Sequence, residues 1–208
     1  MPIPNKRLLV SPPKREGQDK GISYNNFLRS VLLSANVDMK GVFMLAIIKR
    51  KILLLFLLAF VLRLIVFLLH RPWDSQVLTE SVLVHDASDY HRFALSIIDH
   101  FSFGGETYRT PGYPFFIAVI YVIFGVKPWL VLFIQIFVDL VTIYYVLRIG
   151  EFLFSRRVGI IAAAFLAIDP NSIFTTARFL SDGLSVAFLM ASMYFYLRGL
   201  KRGMQGVF

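Results

Sequence analysis

The chain has 208 residues, 57% of them hydrophobic, and a mean hydropathy of +0.66, well above the ~45–50% apolar content of a soluble domain. The formal charge of +9 comes from Lys and Arg gathered at the ends of apolar runs, with no basic stripe interleaved with aromatics, which sets nucleic acid aside. There is no cysteine, which excludes a disulfide framework and a thiolate metal site.

Residues 1–44 form a basic lead. Pro2, Pro4, Pro12, Pro13 and Gly17 are helix breakers, and no secretory signal core or cleavage site is present. The lead therefore reads as an irregular cytoplasmic tail, or as sequence upstream of a true start at Met39 or Met44. Residues 45–208 read as a transmembrane domain, with a first outer loop at about 70–114.

Residues 52–69 form the first apolar run, long enough as a helix to match a hydrocarbon core of ~30 Å. Lys49, Arg50 and Lys51 precede it and place its N-terminus in the cytoplasm. Arg63 interrupts it. Either its guanidinium reaches the outer headgroups, or it is buried with an acidic partner.

The outer loop then carries V-H-D-A-S-D-Y-H-R-F-A-L-S-I-I-D-H-F. Tyr90, Phe93, Ala94, Ile97, Ile98 and Phe101 fall on one helical stripe, which predicts a helix lying in the interface. Asp86 or Ser88 is expected to cap it. Beyond capping, an ionised Asp86 at a helix start could act as a base toward a hydroxyl, or hold a divalent cation. His85 and His91 stand nearby, though a loop histidine is more often only solvated.

The loop ends in Arg109-Thr-Pro-Gly-Tyr-Pro. Pro111 and Gly112 suit a type II turn, which would aim Arg109 at a phosphate or simply launch the next helix. Residues 115–124 are apolar but too few to cross. Residues 129–147 are a full span with Asp139 near its middle and Gln135 on the same face, and Arg63 is the expected partner of Asp139. Residues 158–168 continue past Pro170 to about Thr176 as a kinked helix, and 179–197 form the last span. Asp169, Arg178 and Asp182 cluster at the turn before it.

If 115–124 dips in and returns, Arg148, Arg156, Arg157, Arg198, Lys201 and Arg202 all lie inside. The expected fold is therefore an all-α polytopic membrane protein. It has about four transmembrane helices, an outer-side interfacial helix and a short re-entrant helix. Asp86 and Asp182 then face outward.

The order D-A-S-D-Y-H-R-F-A-L, Y-R-T-P-G-Y-P-F-F-I, Q-I-F-V-D-L, E-F-L-F-S-R-R-V-G and R-F-L-S-D resembles the N-terminal part of the C-superfamily membrane glycosyltransferases. Within them it is most similar to the ArnT-like enzymes related to protein mannosyltransferases (glycosyltransferase family 39 and relatives). The resemblance implies transfer of a sugar from a polyprenyl-phosphate donor to a lipid, glycan or protein hydroxyl, on the outer face of the inner (cytoplasmic) membrane. It implies that Asp86 is the first-loop acid and Asp182 the acid of the second outer loop. Arg109 and Arg178 are then the groups that neutralise the donor phosphate, with Tyr90, Tyr113, Arg63 and Asp139 in support. Such enzymes have about twice as many spans, so the resemblance is to their N-terminal part only. The other readings are a lipid-linked-sugar transporter or flippase segment, and a fragment without activity.

Overall fold

A computed structural model describes residues 18–102 and 110–205, with side chains placed for 42–44, 46–102 and 110–201. By its contacts the chain divides into two units, Met1–Arg50 and Lys51–Phe208, and all that follows concerns the second unless stated. Among the described residues every regular element is helical.

Helix α1 (Gln18–His70) contains the first span, Val42–His70. The lead expected to be irregular up to Met44 is helical from Gln18 onward. The physical reason lies in the breakers: all five precede Gln18, and no proline follows until Pro72. Residues 1–17 lie outside the described part.

After α1 the chain makes a short helical turn, α2 (Ser75–Val77), and a π-turn (Leu78–Val82). Asp74 caps α2 by accepting the Gln76 N–H at 3.0 Å. Helix α3 (Asp86–His100) is the expected amphipathic helix, begun earlier than its stripe. Ala87, Tyr90, Phe93 and Ala94 are buried, but Phe101 is 95% exposed. Phe101 leaves the stripe because it is the C-cap, in the left-handed conformation at φ 49°.

Helix α4 (Gly112–Phe124) has 13 residues, roughly 20 Å by helical rise, short of the ~30 Å core. Gly112 does not take the positive φ of a type II turn. Pro111 is the N-cap at φ −72°, ψ −16°, and Gly112 is the first helical residue. Proline suits this start, because the first N–H groups of a helix have no partner within it; Pro114 in the same turn costs no ladder bond either. Helix α4 packs along α3, with the Tyr90 and Tyr113 rings edge-on at 4.9 Å. Ile117, Ala118, Ile120 and Tyr121 join Ala87, Tyr90 and Ala94 in one buried cluster with Phe67 of α1.

Helix α5 (Pro128–Leu153) packs against α6 (Arg156–Ile168) and α8 (Asp182–Gln205), and α7 (Pro170–Thr176) follows α6 at a 58° bend. Among the described residues, three helices are long and apolar enough to cross a membrane, and a fourth span results if the bent pair α6–α7 is taken as one. Together these make an all-α polytopic membrane protein. The last span starts at Asp182 rather than at Phe179, which lies in the preceding loop.

The bend is a break rather than a kink, and Pro170 causes it. Pro170 has no N–H to give the Leu166 carbonyl four residues back. The Arg63 guanidinium stands in. It donates to the carbonyls of Ala167 at 3.0 Å and Leu166 at 3.4 Å, to Ala59 O at 3.2 Å and to Ser172 Oγ at 3.0 Å, while its Nε–H donates to Asp139. Asp169 restarts the helix as N-cap of α7, accepting the Ser172 N–H at 2.8 Å. Arg63 is 1% exposed, so of its two readings the buried pair is the one found.

Candidate active site

The turn Val84–Ala87 sets the entrance of α3. The Ala87 N–H donates to Val84 O at 3.1 Å, and His85 within the turn has φ 51° and ψ −122°. The N–H and hydroxyl of Ser88 both donate to His85 O, at 3.1 and 2.7 Å. The expected cap by Asp86 or Ser88 is absent. His85 holds the N-cap position without a side-chain cap bond, and Asp86 is the first helical residue. The chain turns at His85, so Asp86 is already inside the helix and cannot reach back as a cap. Asp86 and Asp89 both lie in the first turn of α3.

A second segment, Ala177–Ser181 before α8, is held against α3 and α4 by side chains. The Tyr113 hydroxyl donates to Gln135 Oε1, and Gln135 Nε2 donates to the Arg178 carbonyl at 2.9 Å. The Tyr90 hydroxyl and Ser181 Oγ are hydrogen-bonded at 3.1 Å. Phe179 is buried edge-on to Tyr113 and His91. His91 Nδ1 lies 2.8 Å from the Tyr121 hydroxyl, and burial lowers the imidazole's pKa below its ordinary value. The neutral form is thereby favoured in the fold.

These two segments enclose a cavity of about 440 Å³. Its polar lining includes His70, Ser81, His85, Asp86 and Arg178. Asp86 and Arg178, singled out in the sequence, are therefore brought together. Asp182 is not with them. It lines a separate cavity of about 230 Å³ with Asp139, Asp169, Ser172 and Thr176. Residues 176–182 run between the two: Thr176 and Asp182 line the smaller, and Ala177–Leu180 the larger. Arg109 lies outside the described residues. Tyr90 and Tyr113 support the loop as described, and Arg63 and Asp139 form the buried ion pair.

Sequence reasoning passed over His70, Tyr121, Ser172 and Ser181, which carry no periodic signal, and weighed His85 and His91 as site members against plain solvated residues. Gln135 was the legible one, because an amide deep in an apolar helix must find partners. Among the described residues, no group of three or more His, Asp or Glu side chains is placed to hold a metal ion.

The larger cavity is lined by a cationic residue, Arg178, and an acidic one, Asp86. No curated protein and no solved structure gives a significant match to the chain. A family model does match, and it runs from the R-T-P-G-Y-P turn through α8, taking in Arg109, Arg178 and Asp182 but not Asp86. Residues 108–207 match the model of the family described as dolichyl-phosphate-mannose-protein mannosyltransferase, so a little under half of the chain is similar to that family.

Proposed function

We propose that the chain carries the donor-side site of a membrane glycosyltransferase that takes a sugar from a polyprenyl-phosphate donor. One observation carries the reading: Asp86, at the start of α3, and Arg178, before α8, line the same cavity. The acceptor is a hydroxyl of a lipid, glycan or protein. Its oxygen attacks the anomeric carbon, its proton passes to the Asp86 carboxylate, and the bond from that carbon to the phosphate oxygen breaks. The electron pair leaves on the phosphate, whose charge Arg178 and Arg109 neutralise. Asp182, in the neighbouring cavity, acts on the acceptor side. The site faces the outer side of the inner membrane, with the N-terminus in the cytoplasm, as the distribution of Lys and Arg supports.

Asp86→Asn tests this in the complete membrane protein. The exchange keeps the shape, removes the basicity and leaves the N-cap position, His85, untouched. Transfer from a lipid-linked sugar should fall by about 10²–10⁴, with expression and detergent melting unchanged. Asp89→Asn should be mild. Near-normal transfer by Asp86→Asn would end the proposal.

The break between α6 and α7 favours a second reading, a transporter, since broken helices form substrate sites near the midplane. Yet the carbonyls freed by this break are taken by Arg63 and so are not presented to a substrate. Uptake of a labelled lipid-linked sugar across proteoliposomes, without transfer, would favour this second reading.

A further inference from the structure

His85 holds a backbone conformation that a residue with a Cβ rarely takes. At φ 51° and ψ −122° it lies outside the left-handed helical well, in a region used almost only by glycine. Such strain costs on the order of a percent-level population for a free residue and persists only when the surroundings impose it. The bonds that hold the turn run from the Ala87 N–H to Val84 O and from the Ser88 N–H and hydroxyl to His85 O, and a glycine at 85 would leave all three in place. Among the described residues the imidazole makes no hydrogen bond. Nothing in the local structure therefore requires a histidine at this position.

The cavity supplies a reason. His85 and Asp86, with Val84 and Ala87 on either side, line the cavity that Arg178 and His70 also line. The reversed φ at His85 makes the turn that lays this segment along the cavity. We infer that His85 is a contact residue for the donor phosphate, its imidazole donating a hydrogen bond to a phosphate oxygen opposite Arg178. The ligand class is a phosphate ester, and the inference rests on the donor-site reading given above. The arrangement divides the roles: the imidazole and guanidinium take the phosphate, and Asp86 receives the proton of the acceptor hydroxyl.

The test uses the complete protein in phosphatidylcholine nanodiscs, with citronellyl phosphate as the probe and inorganic phosphate in a parallel arm. His85→Gly removes both the strain and the imidazole. His85→Asn keeps the backbone strain and an N–H donor but removes the ring. The Gly variant should melt a few degrees above wild type and bind the probe about 10- to 100-fold more weakly, the loss expected for one hydrogen bond to a charged group. The Asn variant should fall between. Tighter binding of citronellyl phosphate than of inorganic phosphate marks the lipid ester as the occupant, and equal binding marks free phosphate; the His85 contact stands in either case if the Gly variant weakens it. A Gly variant that binds like wild type overturns the inference and leaves the donor reading intact. A Gly variant that loses binding and melting together also overturns it, because His85 would then be structural. If wild type binds neither probe, the donor-site reading itself has failed and takes the inference with it.

Discussion

At the scale of single residues, Arg63 concentrates more of the fold than any other side chain described. A charged group in the hydrocarbon core costs at least ~2.5–3.5 kcal/mol when it has no partner. Arg63 offsets that cost with one carboxylate, one hydroxyl and three backbone carbonyls. Removing either member of the Arg63–Asp139 pair should destabilise by about 3–5 kcal/mol, because the other charge stays buried alone. The Arg63→Ala, Asp139→Ala and double variants form a thermodynamic cycle, readable as melting in detergent. The expected coupling is of order 1–3 kcal/mol, and strict additivity would show that the two do not act as a pair. The double variant should not recover fully, since the Ala167 carbonyl also loses the Arg63 donor. Arg63→Lys should rescue little: a single ammonium cannot reach the carboxylate and both carbonyls with the geometry of a guanidinium. The pairing was legible in the sequence as two opposite charges at similar depth. The role of the same guanidinium at the end of α6 was not, because it depends on where a separate helix breaks.

At the scale of elements, the tightest fit is between α5 and α6. A Cβ at Gly159 would lie 2.5 Å from Leu147 O and 2.8 Å from Glu151 N, and one at Gly150 would lie 2.7 Å from Gly159 Cα. The two backbones touch there. Gly159, Ala163 and Ala167 follow at i, i+4 and i+8 and are all buried, so the close face of α6 is a row of small residues. Rows of this kind let helices approach in a bilayer, where packing replaces the hydrophobic effect as the driving force. Ion pairs from Arg148 and Arg156 to Glu151, at 2.9 and 3.4 Å, hold the turn beyond the crossing. Gly159→Ala should cost about 1–3 kcal/mol by overpacking, measured as a fall in detergent melting. Gly183→Ala, where a Cβ meets nothing within 4 Å, should be close to neutral. Equal effects at the two positions would refute the account of the crossing. Neither glycine stands out in the sequence, since an isolated Gly in an apolar run looks the same whether or not a backbone approaches it.

At the scale of the whole molecule, the contacts of α4 bear on the membrane topology. Its first turn meets Tyr90 and its last turn meets His91, both on α3. With thirteen residues, too few to span a ~30 Å core, α4 fits a dip into the membrane rather than a crossing. The loop before α8 meets the same α3, while the α5–α6 turn at Ser155 lies beyond the Gly150–Gly159 crossing. With no native cysteine, single-cysteine labelling is clean. Ser102→Cys should react with an impermeant maleimide on intact cells and Ser155→Cys only after permeabilisation. Ser155 is the N-cap of α6, but its bond to the Val158 N–H is a long 3.4 Å, so the change should cost little. Labelling of the Ser155 variant from outside would overturn the proposed orientation.

The sequence by itself determined the class, the order of the apolar helices, the amphipathic α3 and the partnership of Arg63 with Asp139. These follow from hydropathy, periodicity and charge, which act over one helix or demand a partner at a known depth. Helix termini were less legible: Gly112 enters a helix instead of a turn, His85 takes the cap position, and Pro170 breaks a helix expected only to bend. Each depends on which neighbour satisfies the backbone. Only the tertiary structure decided that Asp86 and Arg178, 92 positions apart in the chain, line one cavity while Asp182, four residues past Arg178, lines another. The reason is the path of residues 177–181. Their course is set by the Gln135 bridge, the Tyr90–Ser181 bond and the burial of Phe179, contacts between distant segments that no local pattern encodes.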